Sequence, residues 1–390
     1  MEILRKSIYL DYSATTPVDP RVLEAMLPYF TQSYGNPSSV HYYGQRADVA
    51  LEDARLIIAK IINCNPKEII FTSGGSESDN LALRGTSLAM RELKQANRIL
   101  ITPVEHHAVL RTAQQLNKMF GFFLDYLPVD KFGMVDPDDV ARMIKPDTAI
   151  VSVIYANNEV GTINPIQHIG RVCREAGVPF HTDAVQAGAY LKIDVNDLAV
   201  DLLSLGAHKF FGPKGVGILF VRKGTHIYPV QTGGNQEFSL RAGTHNIPYI
   251  VGLAKALQIA QVEINNRVEY LRPLRDMIIG RILEEIPGSR VTGHLSNRLA
   301  NHTSFVFEGV DGNTLVMLLD VEGFACSSGS ACKTGDPEPS EVLISIGFLP
   351  DLALGSLRVT LGTSTTQADV ESFLKILPSL IQRARKITHR

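Results

Sequence analysis

Residues 178–221 read VPFHTDAVQAGAYLKIDVNDLAVDLLSLGAHKFFGPKGVGILFV, and three short apolar runs within them decide the architecture: VPFHTD (178–183), DLLSLG (201–206) and GVGILFV (215–221). Each is too short for a stable helix and is bounded by Gly, Pro or Asp, the appearance of a strand buried on both faces. Similar runs occur upstream as EIIFTS (68–73), RILITP (98–103), FFLDYLPV (122–129) and AIVSVIYA (149–156). Helical patterns at 77–92 and 165–176 lie between them, and 45–63 places Val49, Ala50, Ala54, Ile57, Ile58 and Ile61 at helical spacing. This alternation predicts an α/β fold whose mainly parallel sheet, seven strands by this count, is covered on both faces.

Outside this block the pattern changes. Residues 7–12 (SIYLDY) read as another short strand, followed by the Pro-punctuated entry Thr16-Pro17-Val18-Asp19-Pro20. From about Pro248 the pattern is continuously helical, with a break expected only near Pro273. Beyond Pro287 come the strands SRVTGH and NHTSFVFEG, a helix at 312–319, a Gly/Ser/Cys loop, a helix at 340–346, the strand SLRVTLG and a last helix at 367–385. The expected division is a large domain, 15–260, and a smaller α+β domain built from 1–14 and 261–390.

Composition narrows the class. The chain has 390 residues, more than one hydrophobic core usually organises. A net charge of −2 gives no reason to expect nucleic acid or an anionic membrane as partner. There is no apolar run near the ~20 residues of a membrane span, nor a signal-peptide core in MEILRKSIYLDYS. A cytoplasmic enzyme is expected. Cys64, Cys173, Cys326 and Cys332 show no zinc-knuckle spacing, so no metal site is expected.

The chemistry-bearing residues gather where predicted strands end, which is where open α/β sheets bind ligands. Gly74-Gly75-Ser76 follows the strand FTS and opens a helix; alone it is a capped turn or a phosphate cradle. Asp183 ends VPFHTD and either caps the next segment or meets a cationic ring nitrogen. Lys209, between Ala-His and Phe-Phe, is a surface lysine or a desolvated amine suited to imine chemistry. Together on consecutive strand ends they read as the site of pyridoxal 5'-phosphate (PLP), held as a Schiff base on Lys209, with Asp183 keeping the pyridine nitrogen protonated.

At this point a resemblance emerges. The segments YLDYSATTPVDPRV (9–22), GNPSSVHYYGQ (35–45), FTSGGSESDNLALRG (71–85), VEHHAVL (104–110), NNEVGTINPI (157–166), HTDAVQ (181–186), AHKFFGPKGVG (207–217), LRAGTHN (240–246), SSGSAC (327–332) and SLRVTLG (356–362) follow the order found in cysteine desulfurases. The chain resembles that family, PLP-dependent transferases of fold type I grouped with the class V aminotransferases, over nearly its whole length. The resemblance implies that Lys209 carries the cofactor, that Asp183 and Gln186 contact the pyridine nitrogen and phenolic oxygen, and that His106 stacks on the ring and transfers protons. His107 is expected to be structural. Asn157 is expected near the phenolic oxygen and the substrate. Gly75, Ser76 and His208 are expected to hold the phosphate, with Thr244 reaching across from a partner subunit, hence a homodimer.

Arg358 is expected to bind the carboxylate of L-cysteine, and the Cys332 thiolate, next to Lys333, to take the sulfur as a persulfide and release L-alanine. The SSGSAC loop is of the group I type, which passes sulfur to a partner protein: an iron–sulfur scaffold or a thiolation carrier. Three departures stand out. Gly206 occupies the place of a family serine, Cys326 precedes Cys332 by six residues, and the chain ends at Arg390 where housekeeping members have a longer scaffold-docking tail. Other readings of the same motifs are a selenocysteine lyase, another class V lyase or aminotransferase, or a catalytically silent sulfur-transfer scaffold.

Overall fold

The computed structural model describes residues 7–329 and 338–388. Cys332, on which the expected nucleophile falls, lies outside the described residues. Among the described residues there are twelve strands: β1 (Ile8–Tyr9), β2 (Ile69–Thr72), β3 (Arg98–Ile101), β4 (Phe123–Tyr126), β5 (Thr148–Ser152), β6 (Phe180–Asp183), β7 (Leu202–Gly206), β8 (Gly217–Val221), β9 (Ser289–Val291), β10 (His302–Phe307), β11 (Phe324–Ala325) and β12 (Ser356–Thr360). Seven form the central sheet, in the order β2-β8-β7-β6-β5-β3-β4. Only β8 runs against the rest, pairing antiparallel with both β7 and β2. The connection from Gly206 to Gly217 is too short for a helical crossover, so the chain turns back.

Every position of β2, β5, β6, β7 and β8 is buried, as continuous apolar runs require. The edge strand β4 is open to solvent and carries Asp125, paired across to Arg98 of β3. The predicted 77–92 helix begins at Gly75, as Gly75–Asn80. It passes through a π-helical stretch, Leu81–Gly85, and resumes as Thr86–Lys94.

The long helical region breaks at Glu263 and not near Pro273. Ile247–Val262 and Ile264–Glu285 meet there at 67°. Arg267 reaches back to donate to Ala260 O at 3.0 Å and Ala189 O at 2.8 Å, satisfying a carbonyl the break leaves free. Pro273 stays inside the second helix, because it and Glu269, the residue one turn earlier, are exposed and water can take the freed carbonyl. No single helix among the described residues is long and apolar enough to cross a membrane.

The last third of the chain forms the antiparallel sheet β12-β10-β9, flanked by Gly312–Val321 and Gln367–Thr388. A short helix, Pro350–Leu354, escaped the sequence reading. The N-terminal segment lies against this region: β1 pairs in parallel with β11, and Asp11 bridges to Thr360 of β12. From there the chain runs back to the C-terminal ends of the central strands.

Candidate active site

β6 delivers Asp183 to the carboxyl edge of the sheet, where its Oδ1 accepts from Val185 N at 2.9 Å. β7 ends at Gly206, and one 3₁₀ turn, Ala207–Lys209, turns His208 and Lys209 toward the same edge. Lys209 Nζ donates to Ser13 O at 2.5 Å and Ala14 O at 2.8 Å, neutral acceptors from the N-terminal segment. Burial, with Arg358 adding to it, lowers its pKa to about 8. Gln186 Nε2 donates to Ser13 O at 2.9 Å. His208 Nδ1 meets Thr15 Oγ1 at 3.2 Å, and burial lowers its pKa to about 4, so the ring is neutral.

β2 leads into the start of the Gly75–Asn80 helix. Gly74 takes φ +156°, and a Cβ on Gly75 would stand 2.6 Å from Val185 Cγ2. A Cβ on Gly206 would lie 3.3 Å from Gly75 N. The two glycines and Val185 therefore fit one another, and room for a Gly206 side chain exists only if this packing yields. His106 caps the His107–Phe120 helix by accepting from Ala108 N on Nδ1 at 3.1 Å. Burial, reinforced by Lys209 and His107, lowers its pKa, and the ring proton of the neutral form belongs on Nε2.

Gly75, Ser76, His106, Asp183, Gln186, His208 and Lys209 line one cavity of about 540 Å³. Seven residues picked from distant parts of the sequence thus share a wall. An adjoining cavity of about 380 Å³ is bordered by Glu159, Cys326, Ser327 and Arg358, and both cavities are bordered by His106 and Asn158. Arg358 Nη2 donates to Asp11 Oδ1 at 2.9 Å and Nη1 to Asn158 O at 3.1 Å, while Nε is buried without a partner.

One expected residue stands elsewhere. Asn157 is fully buried and outside both cavity linings; Nδ2 donates to Val104 O, and Oδ1 accepts from Glu159 N and Val160 N. It shapes the loop, and its neighbour Asn158 borders the space assigned to it. Thr244 lines a separate cavity that shares Ser73 and Gly215 with the Lys209 cavity. Cys326 is buried, and burial pushes its thiol far above the ordinary range, the environment of a packing residue.

Sequence reading passed over Asp11, Ser13, Asp79 and Glu105. Asp79 and Glu105 are buried beside Asp183. Asp79, His106 and Asp183 offer atoms within 4.8 Å of one another, a set able to face a cation. A depressed amine, a buried carboxylate at the far wall and a glycine-opened helix start fit pyridoxal phosphate: an aldehyde for the amine, a pyridinium nitrogen for the carboxylate and a phosphate for the free N–H groups.

Comparison with known proteins agrees. The sequence model of the family "Aminotransferase class-V" matches residues 8–373. The chain is 45% identical over 385 residues to cysteine desulfurase IscS of Dictyoglomus turgidum, covering 99% of this chain and 97% of that one. It is 45% identical to cysteine desulfurase IscS of Methanosarcina thermophila, covering 98% and 94%. Among solved structures, a NifS-like protein superposes with a TM-score of 0.90 at 37% identity, over 97% of this chain and all (100%) of that one. SspA in complex with cysteine gives 0.78 at 35% identity, over 90% and 98%. The chain therefore belongs to the class V aminotransferase family, among its PLP-dependent cysteine desulfurases.

Proposed function

We propose that the protein converts L-cysteine to L-alanine and passes the sulfur to Cys332 as a persulfide. The observation that carries the reading is the pairing, in one cavity, of a buried amine with a lowered pKa, Lys209, and the buried carboxylate Asp183. When bound, PLP supplies an aldehyde for the amine and an electron sink for the carbon skeleton.

The protein's own groups supply the rest. Asp183 would pair with the ring nitrogen, and Gly75, Ser76 and His208 would hold the phosphate. Lys209, with a pKa of about 8, gives up and takes back a proton near neutrality. His106, neutral and shared by both cavities, passes protons on Nε2. Arg358, with an unspent Nε, receives the substrate carboxylate in the adjoining cavity. Sulfur transfer breaks the Cβ–S bond, leaves its electron pair on the carbon skeleton and forms an S–S bond at Cys332.

The reading includes a homodimer. Leu27, Phe30, Tyr34, Tyr43 and Phe238 are exposed, which suits a partner subunit, and Thr244 stands outside the cavity it would serve in its own subunit. The sulfur acceptor is a second protein, an iron–sulfur scaffold or a thiolation carrier. The setting is a reducing cytoplasm, in keeping with the free thiols of Cys64, Cys173 and Cys326. The test is sulfide release from L-cysteine with a reductant, beside Cys332→Ala and Lys209→Ala. Release is expected in the wild type alone. A Lys209→Ala protein that keeps the cofactor's visible absorption band would overturn the assignment of the amine.

A further inference from the structure

Three carboxyls are buried around the floor of the Lys209 cavity: Asp79, Glu105 and Asp183, each 5% exposed or less. Like charges in a low-dielectric space do not all ionise, so the donors available to each decide which one holds the charge. Burial raises the Asp183 carboxyl above its ordinary range, and the N–H of Val185 at 2.9 Å and the fields of His106 and Lys209 oppose that. Glu105 has Thr102 Oγ1 and Ile154 N on Oε1, each at 2.8 Å, and no partner on Oε2. Asp79 has no N–H donor on either oxygen, only the neighbouring Ser204 hydroxyl, and the nearby His181 Nε2 lies 3.6 Å away, beyond a hydrogen bond. His181 cannot help by charging: its nitrogens meet Ser152 Oγ at 2.9 Å and Ser204 Oγ at 3.0 Å, and burial lowers its pKa to about 3.

We propose that Asp79 is a positioning residue: its carboxyl stays neutral beside Asp183, so that Asp183 remains the ionised group at the ring-nitrogen end of the cavity. The inference rests on the reading of Asp183 as partner of the cofactor nitrogen. The groups that face Asp79 are Asp183 and His181 on β6, Glu105 and His106 after β3, and Ser204 on β7. Burial raises the Asp79 carboxyl far above the ordinary range, and the fields of Asp183 and Glu105 act in the same direction; Ser204 opposes them.

The test uses holoenzyme, with Asp79→Asn replacing a neutral acid by a neutral amide of the same shape. Pyridoxal phosphate retention is measured by equilibrium dialysis at neutral pH, and infrared spectra are compared in the region of protonated carboxylic acids. At neutral pH the variant should match the wild type within about twofold and lack one protonated-carboxyl band. An unchanged infrared spectrum, or a variant already weakened at neutral pH, would overturn the proposal. Asp183→Ala is run alongside: wild-type retention there would mean that the reading of Asp183 fails, whatever Asp79→Asn shows.

Discussion

Lys209 Nζ and Gln186 Nε2 donate to the same acceptor, the carbonyl oxygen of Ser13, at 2.5 and 2.9 Å. That acceptor has no charge, so it orients the amine without opposing the loss of its proton as a carboxylate would. The N-terminal segment holds the amine in place while burial and Arg358 prepare it chemically.

Uptake of pyridoxal phosphate by the apoprotein should therefore track the neutral form of Lys209. The uptake rate, followed by absorbance, should rise with pH and level off above about 8. A rate still climbing near the ordinary lysine value of about 10.4 would show that the amine is not depressed.

Arg358 is held by Asp11 before any substrate arrives. Arg358→Lys keeps the charge but loses the two-pronged donor, and should lower kcat/KM for L-cysteine by roughly thirtyfold, about 2 kcal/mol. Asp11→Asn removes the competing anion and should lower KM. Steady-state kinetics on both variants check this; a raised KM in Asp11→Asn would mean that Asp11 is needed to aim the guanidinium.

The two cysteines flanking SSGSA should behave oppositely. Cys326→Ala should release sulfur from L-cysteine within about twofold of wild type, since burial holds the Cys326 thiol un-ionised. Cys332→Ala should release none while still changing the cofactor spectrum on adding L-cysteine. Alkylation mapped by mass spectrometry should leave Cys326 unlabelled in the folded protein.

Glu237, Phe238 and Ser239 take successive left-handed conformations, φ 47°, 56° and 66°, unusual for non-glycine residues. The turn is locked by Glu237, which accepts from Arg55 at 2.8 and 3.1 Å, Phe71 N at 2.7 Å and His245 at 2.7 Å. Glu237→Gln leaves Arg55 with only the exposed Glu52 as counter-ion and should cost about 3 kcal/mol in denaturant unfolding. Burial alone pushes the Glu237 carboxyl up, but His245 and Arg55 outweigh it and leave it below the ordinary range. Its contribution is thus present above the unfolded value of about 4.3 and lost as acid protonates the folded form, a loss the Gln variant should not show.

The central sheet was legible because its strands are buried on both faces, which leaves continuous apolar runs in the sequence. The break at Glu263 was not, because proline is the stronger local signal; whether a proline breaks a helix depends on what surrounds the freed carbonyl, and at Pro273 that is solvent. Lys209, Asp183 and His106 stood out through their motifs. Asp79 and Asp11 did not, since a carboxylate within a polar stretch reads as solvated until tertiary packing closes over it. Asn157 and Asn158 are adjacent and chemically identical, and only backbone direction shows which one borders the cavity.

Ile8–Thr16 closes the site from a great distance along the chain. It pairs with Phe324–Ala325 and Thr360, then supplies the carbonyls that hold Lys209. During synthesis these residues leave the ribosome long before their partners exist, so the cavity can be assembled only when nearly the whole polypeptide is available. Catalytic competence is thereby tied to completion of folding, and partly made chains have the lysine without the architecture that makes it reactive.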